Sequence, residues 1–306
     1  MNDRMPAGRP SNQDGEFSGR RCPVIVGPTA VGKTELITRL AAEHHIEVIS
    51  LDSRQIYRGL RIGTAQPTQA ELGICPHHLI DFVSPAEKYD AMRFRDDFEI
   101  AFAGICGRGG VPILVGGAGM YLTALQEGFL EIPGNNGGRL AAVRADLDRL
   151  SDAEILTRLT AVDPISAGRL HPNDRYRLQR ALEIHQLSGR SMTELTAEQR
   201  PVPALGLRFP TFVLERPTPE LDKRIAQRTE IMVSSGWIEE TEAALGKHSA
   251  DCPGLRSIGY REIVAMLKGE LNLGEVPSAI VRVTRQYAKR QRTWFRKLDC
   301  LERGNP

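Results

Sequence analysis

The chain has 306 residues and a mass of 33.8 kDa, room for one large domain or two ordinary ones, and its 41% hydrophobic and 25% charged residues exclude a disordered or fibrous protein. No apolar run approaches the roughly 20 residues needed to cross a bilayer, and Cys22, Cys75, Cys106, Cys252 and Cys300 form no C-x-x-C pair, which argues against a disulfide framework or zinc site and fits a reducing cytoplasm. The net charge is only +2, yet Arg282, Arg285, Lys289, Arg290, Arg292, Arg296 and Lys297 follow one another with no acidic residue between them, so basic charge is concentrated near the C-terminus and the remainder is net acidic.

Residues 1–21 hold Arg4, Arg9, Arg20 and Arg21 among Gly, Pro, Ser and Asn, with no apolar stretch suited to a signal peptide, and are expected to be a disordered tail. The apolar run 22–26 reads as a buried strand ending at Gly27, and Leu36, Ile37, Leu40 and Ala41 recur at helical spacing. Residues 48–51 form a second strand candidate ending at Asp52, and 79–83 a third. Phe94, Phe98, Ala101, Phe102 and Ile105 mark an amphipathic helix. It leads to a fourth strand candidate at 111–115 and a glycine turn at Gly116 and Gly117.

Strands alternating with helices predict an α/β fold with a parallel sheet covered on both faces. Ligands bind such sheets at the carboxyl ends of their strands. From 128 to 203 the chain is helical and charged without a clear strand, which predicts a helical inserted subdomain. Residues 212–214 return to the sheet, and helices follow over 221–247, 259–268 and 277–297. The expected core is therefore 22–127 with 204–306, and the last helix carries the basic cluster.

Gly27-Pro28-Thr29-Ala30-Val31-Gly32-Lys33-Thr34 satisfies G-x-x-x-x-G-K-[ST] at every fixed position. Its glycines let backbone N–H groups turn onto phosphate oxygens at a helix N-terminus, Lys33 adds charge, and the Thr34 hydroxyl suits Mg²⁺. Placement between a strand and a helix makes it a P-loop NTPase-like element. Asp52, at the end of the second strand, has three readings: a turn aspartate, a metal ligand, or a general base facing the cradle.

Several ordered stretches together resemble the tRNA dimethylallyltransferases, also called tRNA isopentenyl transferases. They are the cradle, 52–57, 62–67, 76–81, 114–117, 171–189, 257–260 and 284–296. The resemblance implies transfer of a dimethylallyl group from dimethylallyl diphosphate to N6 of the adenosine next to the anticodon of tRNA. It makes the P-loop a diphosphate holder, Asp52 the base that takes the N6 proton, and Arg228 a diphosphate-binding arginine. Arg224, four residues earlier, shares its helical face. Mg²⁺ on Thr34 is the implied cofactor. One departure stands out, since the usual Gly-Gly-Thr-Gly-Leu-Tyr is here Gly116-Gly117-Ala118-Gly119-Met120-Tyr121, with no hydroxyl at Ala118.

A base in a stack must be extruded to reach such a pocket, and RNA loops are held through phosphates and splayed bases. The tRNA contacts implied are Asp52, Ser53, Arg54, Gln55, Ala118 and Arg139; Tyr176, Arg177, Leu178, Gln179 and Arg180; Arg256, Ser257, Ile258, Gly259, Tyr260 and Arg261. Lys289, Arg290, Gln291, Arg292, Thr293, Trp294, Phe295 and Arg296 add interleaved basic and aromatic groups. A cytoplasmic monomer without membrane contact is expected. The alternative reading is a P-loop kinase of a small metabolite, which leaves the basic helix unexplained.

Overall fold

The computed structural model describes residues 16–130, 132 and 137–306. In chain order the first half gives β1 (Val24–Val26), α1 (Lys33–Glu43), β2 (Ile46–Leu51), α2 (Gln69–Ile74), β3 (His77–His78), α3 (Ala91–Gly107), β4 (Val111–Gly116) and α4 (Gly119–Glu127). Helices α5 (Gly137–Asp148), α6 (Asp152–Val162), α7 (Pro164–Arg169), α8 (Arg175–Ser188) and α9 (Met192–Glu198) follow. The chain then forms β5 (Thr211–Leu214), α10 (Thr218–Ser234), α11 (Trp237–Leu245), α12 (Tyr260–Leu267), α13 (Val276–Phe295) and β6 (Glu302–Gly304).

The six strands form one parallel sheet in the order β3-β2-β4-β1-β5-β6. Alternation of side chains sorts its apolar residues onto two faces. Val24, Val26, Ile49, Leu51 and Leu114 pack with Phe94, Phe98 and Phe102 of α3, whereas Ile25, Val48, Ile113 and Leu214 pack with Ile37 of α1 and Leu221 and Ile225 of α10. Both faces are thus covered, and the polar loops are left to the strand ends. Register finishes the placement, because Val26 pairs with Gly116 and Val213, and Leu51 also pairs with Gly116. The loops after β1, β2 and β4 therefore leave the sheet side by side.

Contacts divide the described chain into two compact units, 16–126 with 203–306, and 127–202. The second unit is helical, built around Leu147, Ile155, Leu159, Leu178, Ala181 and Leu182. Ser151 and Ser191 close capping boxes at the starts of α6 and α9, each satisfying N–H groups the helix leaves without partners.

Two expectations are corrected and one strand is added. The third strand is His77–His78 rather than 79–83, because Leu79 (φ 60°) and Asp81 (φ 55°) are left-handed and cannot continue a strand. The turn is fixed by the Asp81 carboxylate, which accepts from Gly59 N (2.9 Å) and Arg61 Nε (3.1 Å). Strand β6, short and polar, adds to the free side of β5. Finally, the expected tail through residue 21 is shortened. Phe17 packs edge-on to Phe102 at 5.5 Å, and Gly19 N donates to Gly206 O (2.9 Å), so one aromatic anchor and backbone pairing hold 17–21 against the core. Residues 1–15 lie outside the described set, as do 133–136 of the loop before α5.

Candidate active site

The cradle follows β1 and opens α1. Gly32 adopts φ 114°, a conformation in which a Cβ is strained, and begins α1, whose first N–H groups have no partner in a preceding turn and whose first residues line the cavity. Lys33 folds back so that Nζ donates to Gly27 O (2.9 Å) and Pro28 O (3.0 Å). Burial pushes its pKa down to about 8, with Asp52 opposing and Arg228 reinforcing the shift. It is a charged group at neutral pH that has given up much of its hydration.

Three arginines brace the loop's outer side. Arg216 Nε donates to Val31 O (2.6 Å), Arg224 Nε to Ala30 O (2.8 Å), and Arg228 to Thr29 Oγ1 (2.8 Å). Consecutive loop residues are thus held by cations from α10 and the segment before it. Arg224 also pairs with Glu35 (2.7 Å), and that hydrogen bond holds the Glu35 carboxyl below the usual range. Arg224 therefore acts on the loop rather than as an open clamp. Burial lowers the Arg228 pKa, with the Asp52 charge opposing, and Arg228 lines the cavity with Lys33 and Thr34.

Across that cavity, of about 840 Å³, stands Asp52. Its Oδ1 accepts from Arg54 N (2.7 Å) and Gln55 N (3.3 Å), so the turn reading is correct for one oxygen. Among the described residues Oδ2 has no hydrogen-bond partner, leaving it available as base or ligand. The loop behind Asp52 is pinned at several points. Gln55 accepts from Ser50 Oγ (2.9 Å) and donates to Ala65 O (2.8 Å), and Gln66 donates to Gln55 O (2.7 Å). Further out, the Glu240 carboxylate accepts from the amides of Arg61 (2.7 Å), Ile62 (2.9 Å) and Gly63 (3.2 Å) and from Tyr260 Oη (2.5 Å).

The third side of the site comes from β4 and α13. Ala118 N and Gly117 N both donate to Leu51 O (3.0 Å each), so the Ala118 amide is not free to stand in for the missing hydroxyl. Tyr287 and Gln291, one turn apart on α13, line the cavity. Burial raises the Tyr287 pKa, and the Asp52 charge adds to the shift.

The structure separates the residues expected to meet tRNA. Lys289, Arg290, Thr293 and Arg296 are exposed on α13, with Arg290 over the Tyr287 ring at 5.8 Å, and Arg292 bonds Thr218 Oγ1. Trp294 packs on the core and Phe295 and Gln291 are buried. Arg54 is exposed and reaches Pro253 O (3.3 Å), whereas Ser53 is half-buried. Arg256 and Arg261 are exposed, Ile258 is half-buried, and Ser257, Gly259 and Tyr260 are buried. In the helical unit Tyr176 is 78% exposed and Leu178 fully buried. There Arg177 pairs with Asp174, Arg180 with Glu183, Gln179 donates to Asp148 Oδ1 (3.1 Å) and Arg139 to Gln186 O (3.0 Å). Of the residues expected to meet tRNA, Leu178, Ser257, Gly259, Tyr260, Gln291 and Phe295 are buried here. Sequence reading missed Arg216, Tyr287 and Glu240 as parts of the site; Tyr287 falls within the matched stretch 284–296, whereas no local motif marks Arg216 or Glu240.

A parallel sheet that brings a P-loop, its bracing arginines and the Asp52 carboxylate together at its carboxyl end defines a P-loop-type α/β phosphate-binding site. The IPP transferase family profile matches residues 55–298, and the Isopentenyl transferase profile matches 21–79. A tRNA dimethylallyltransferase of Halorhodospira halophila is 45% identical over 279 residues, covering 89% of this chain and 88% of that one. Another, of Cupriavidus necator, is 42% identical over 298 residues, covering 92% and 91%. Among solved structures, a eukaryotic dimethylallyltransferase acting on tRNA superposes with TM-score 0.79 at 28% identity over 94% of this chain and 74% of that one. The Bacillus halodurans tRNA isopentenylpyrophosphate transferase gives 0.65 at 35% identity over 94% and 89%. The chain belongs to the IPP transferase family, the family of the tRNA dimethylallyltransferases.

Proposed function

We propose that this chain transfers the dimethylallyl group of dimethylallyl diphosphate to N6 of the adenosine immediately 3′ of the anticodon of tRNA. The observation that carries this reading is the cavity in which a cationic phosphate cradle faces the Asp52 carboxylate, one oxygen of which accepts no hydrogen bond among the described residues, while the other carboxylate side chains of the lining are engaged, Glu35 by Arg224 and Glu71 by Thr68. In the reaction the allylic C1–O bond breaks with its electron pair leaving on the diphosphate, the N6 lone pair forms the C–N bond, and N6 gives up one proton. The α1 amides, Lys33 and Arg228 stabilise the charge that grows on the leaving oxygens. Asp52 Oδ2 takes the proton, while its Oδ1 bonds keep the carboxylate aimed.

Mg²⁺ fits this cavity. The exposed Thr34 lines it and offers a hard oxygen donor, as suits an ion that takes most of its ligands from waters and phosphate oxygens. When bound, the ion supplies charge that neutralises the diphosphate.

In the core unit the outward Lys289, Arg290 and Arg296 suit RNA phosphates, and in the helical unit the exposed Tyr176 and Arg177 suit a splayed base and a phosphate. The cysteines are all free, and no helix of the described residues is long and apolar enough to cross a membrane, which supports a cytoplasmic site of action. The test is to incubate the protein with Mg²⁺, dimethylallyl diphosphate and an unmodified tRNA whose anticodon is followed by adenosine, then weigh the digested nucleosides. N6-dimethylallyladenosine is expected. Unchanged adenosine, with phosphate transfer from ATP to a small acceptor, would move the chain to the kinase reading.

A further inference from the structure

Gln291 lies in the most basic stretch of the chain, yet its side chain points away from solvent and is 7% exposed. Its Oε1 accepts from Thr29 N (2.9 Å), and its Nε2 donates to Gly117 O (3.0 Å). One partner is a donor and the other an acceptor, so the amide satisfies both in this orientation alone, and an ionised carboxylate, which only accepts, cannot. The approach is close enough to dictate its neighbour. A Cβ at residue 117 would lie 2.2 Å from Nε2, which leaves glycine as the residue that admits the amide.

The consequences run through Thr29. Its amide is held by Gln291 from α13, and its hydroxyl accepts from Arg228 of α10. Fixing Thr29 fixes where Arg228 stands and the path of the loop into Ala30, whose φ of 63° is itself left-handed. On the far side, Gly117 N is bonded to Leu51 O, next to Asp52. One amide thus ties together the loops after β1 and β4, and through the latter reaches the end of β2.

We infer that Gln291 is a positioning residue for the diphosphate cradle, joining the loops after β1 and β4, and is not a contact for tRNA. It rests on the reading of the cradle as a diphosphate site. Without the amide, the Thr29 N–H and Gly117 C=O lose their buried partners and the cradle loses one of its supports. The expected penalty is therefore on the diphosphate side alone.

The experiment is calorimetric titration of inorganic diphosphate and of dimethylallyl diphosphate, both with Mg²⁺, into Gln291→Met, which keeps the volume and removes both hydrogen bonds. Affinity for each is expected to fall about tenfold, and KM for dimethylallyl diphosphate to rise in step, while tRNA affinity in filter binding stays within about twofold. Gln291→Glu supplies a second signature. Ionised, it presents an acceptor to Gly117 O; protonated, it donates there and still accepts from Thr29. Its affinity relative to the unsubstituted protein should recover as pH falls, whereas that of Gln291→Met should not. Unchanged diphosphate affinity in Gln291→Met, or a loss confined to tRNA, overturns the inference. If the unsubstituted chain bound no diphosphate, the cradle reading would fail and the positioning role with it.

Discussion

The two walls of the cavity are built on different principles. The wall formed by the loop after β1 is cationic and braced from outside, with Arg216, Arg224 and Arg228 holding residues 31, 30 and 29 in turn. The wall formed by the loop after β2 carries one carboxylate, fastened by its own backbone through Asp52 Oδ1 and backed by amide and carboxylate contacts from Gln55, Gln66 and Glu240. One wall is built to receive a large negative charge. The other presents the Asp52 oxygen that accepts no hydrogen bond among the described residues. Group transfer with loss of a diphosphate and a proton needs that asymmetry, because charges of opposite sign must be absorbed at opposite ends of the reacting atoms.

The largest effect is expected on the carboxylate side. Asp52→Ala should lower the transfer rate by roughly 10²–10⁴-fold, read as labelled prenyl group incorporated into tRNA in a single turnover. A rate near that of the unsubstituted protein would remove Asp52 as the base.

Next comes the cationic wall. Lys33→Met should weaken dimethylallyl diphosphate by about 10²-fold, the scale of losing one charged partner of an anion, with tRNA affinity unchanged. The lysine also predicts a pH dependence. With its pKa near 8 in the free protein and higher beside a bound anion, diphosphate affinity should hold below pH 8 and fall as pH rises through it, with a proton taken up on binding. Folding of the unliganded chain should respond with the opposite sign. The unfolded lysine keeps its proton up to its ordinary value of 10.5, so this group adds stability as pH rises between about 8 and 10.5. Calorimetry in buffers of different ionisation enthalpy reads the first, and thermal melts the second.

Smaller effects sharpen the comparison. Ala118→Thr should raise turnover by about fivefold, the value of one hydrogen bond, since the Ala118 amide is already committed to Leu51 O. Unchanged turnover would show that the missing hydroxyl is replaced by another group. Glu240→Gln keeps the shape of the outer brace and removes its charge, and should cost only about twofold to threefold in turnover, with a lower melting temperature.

Much of this was legible in the sequence. The cradle, Asp52 and the alternation of strand and helix rest on local signals, namely glycines at fixed spacing and apolar runs that end at polar loops. The failures have physical reasons. Residues 79–83 are apolar enough for a strand, but the left-handed Leu79 and Asp81 stop one. Strand β6 has no apolar pattern because it pairs at the sheet's edge with polar side chains exposed. The basic helix hid its inward face, since Ala288, Gln291 and Phe295 are buried at helical spacing among charged residues, and a buried glutamine does not register as apolar. Arg216 and Glu240 act over separations of 185 and 178 residues, which no local pattern encodes.

The division of labour between the walls is tested most directly in the Asp52→Ala protein, by measuring its affinities for dimethylallyl diphosphate and tRNA alongside the transfer rate under saturating conditions. The account predicts that transfer is lost while both affinities stay within about twofold of the unsubstituted protein. Loss of diphosphate affinity in proportion to rate would contradict it, by placing Asp52 in the holding of the leaving group rather than in the taking of the proton.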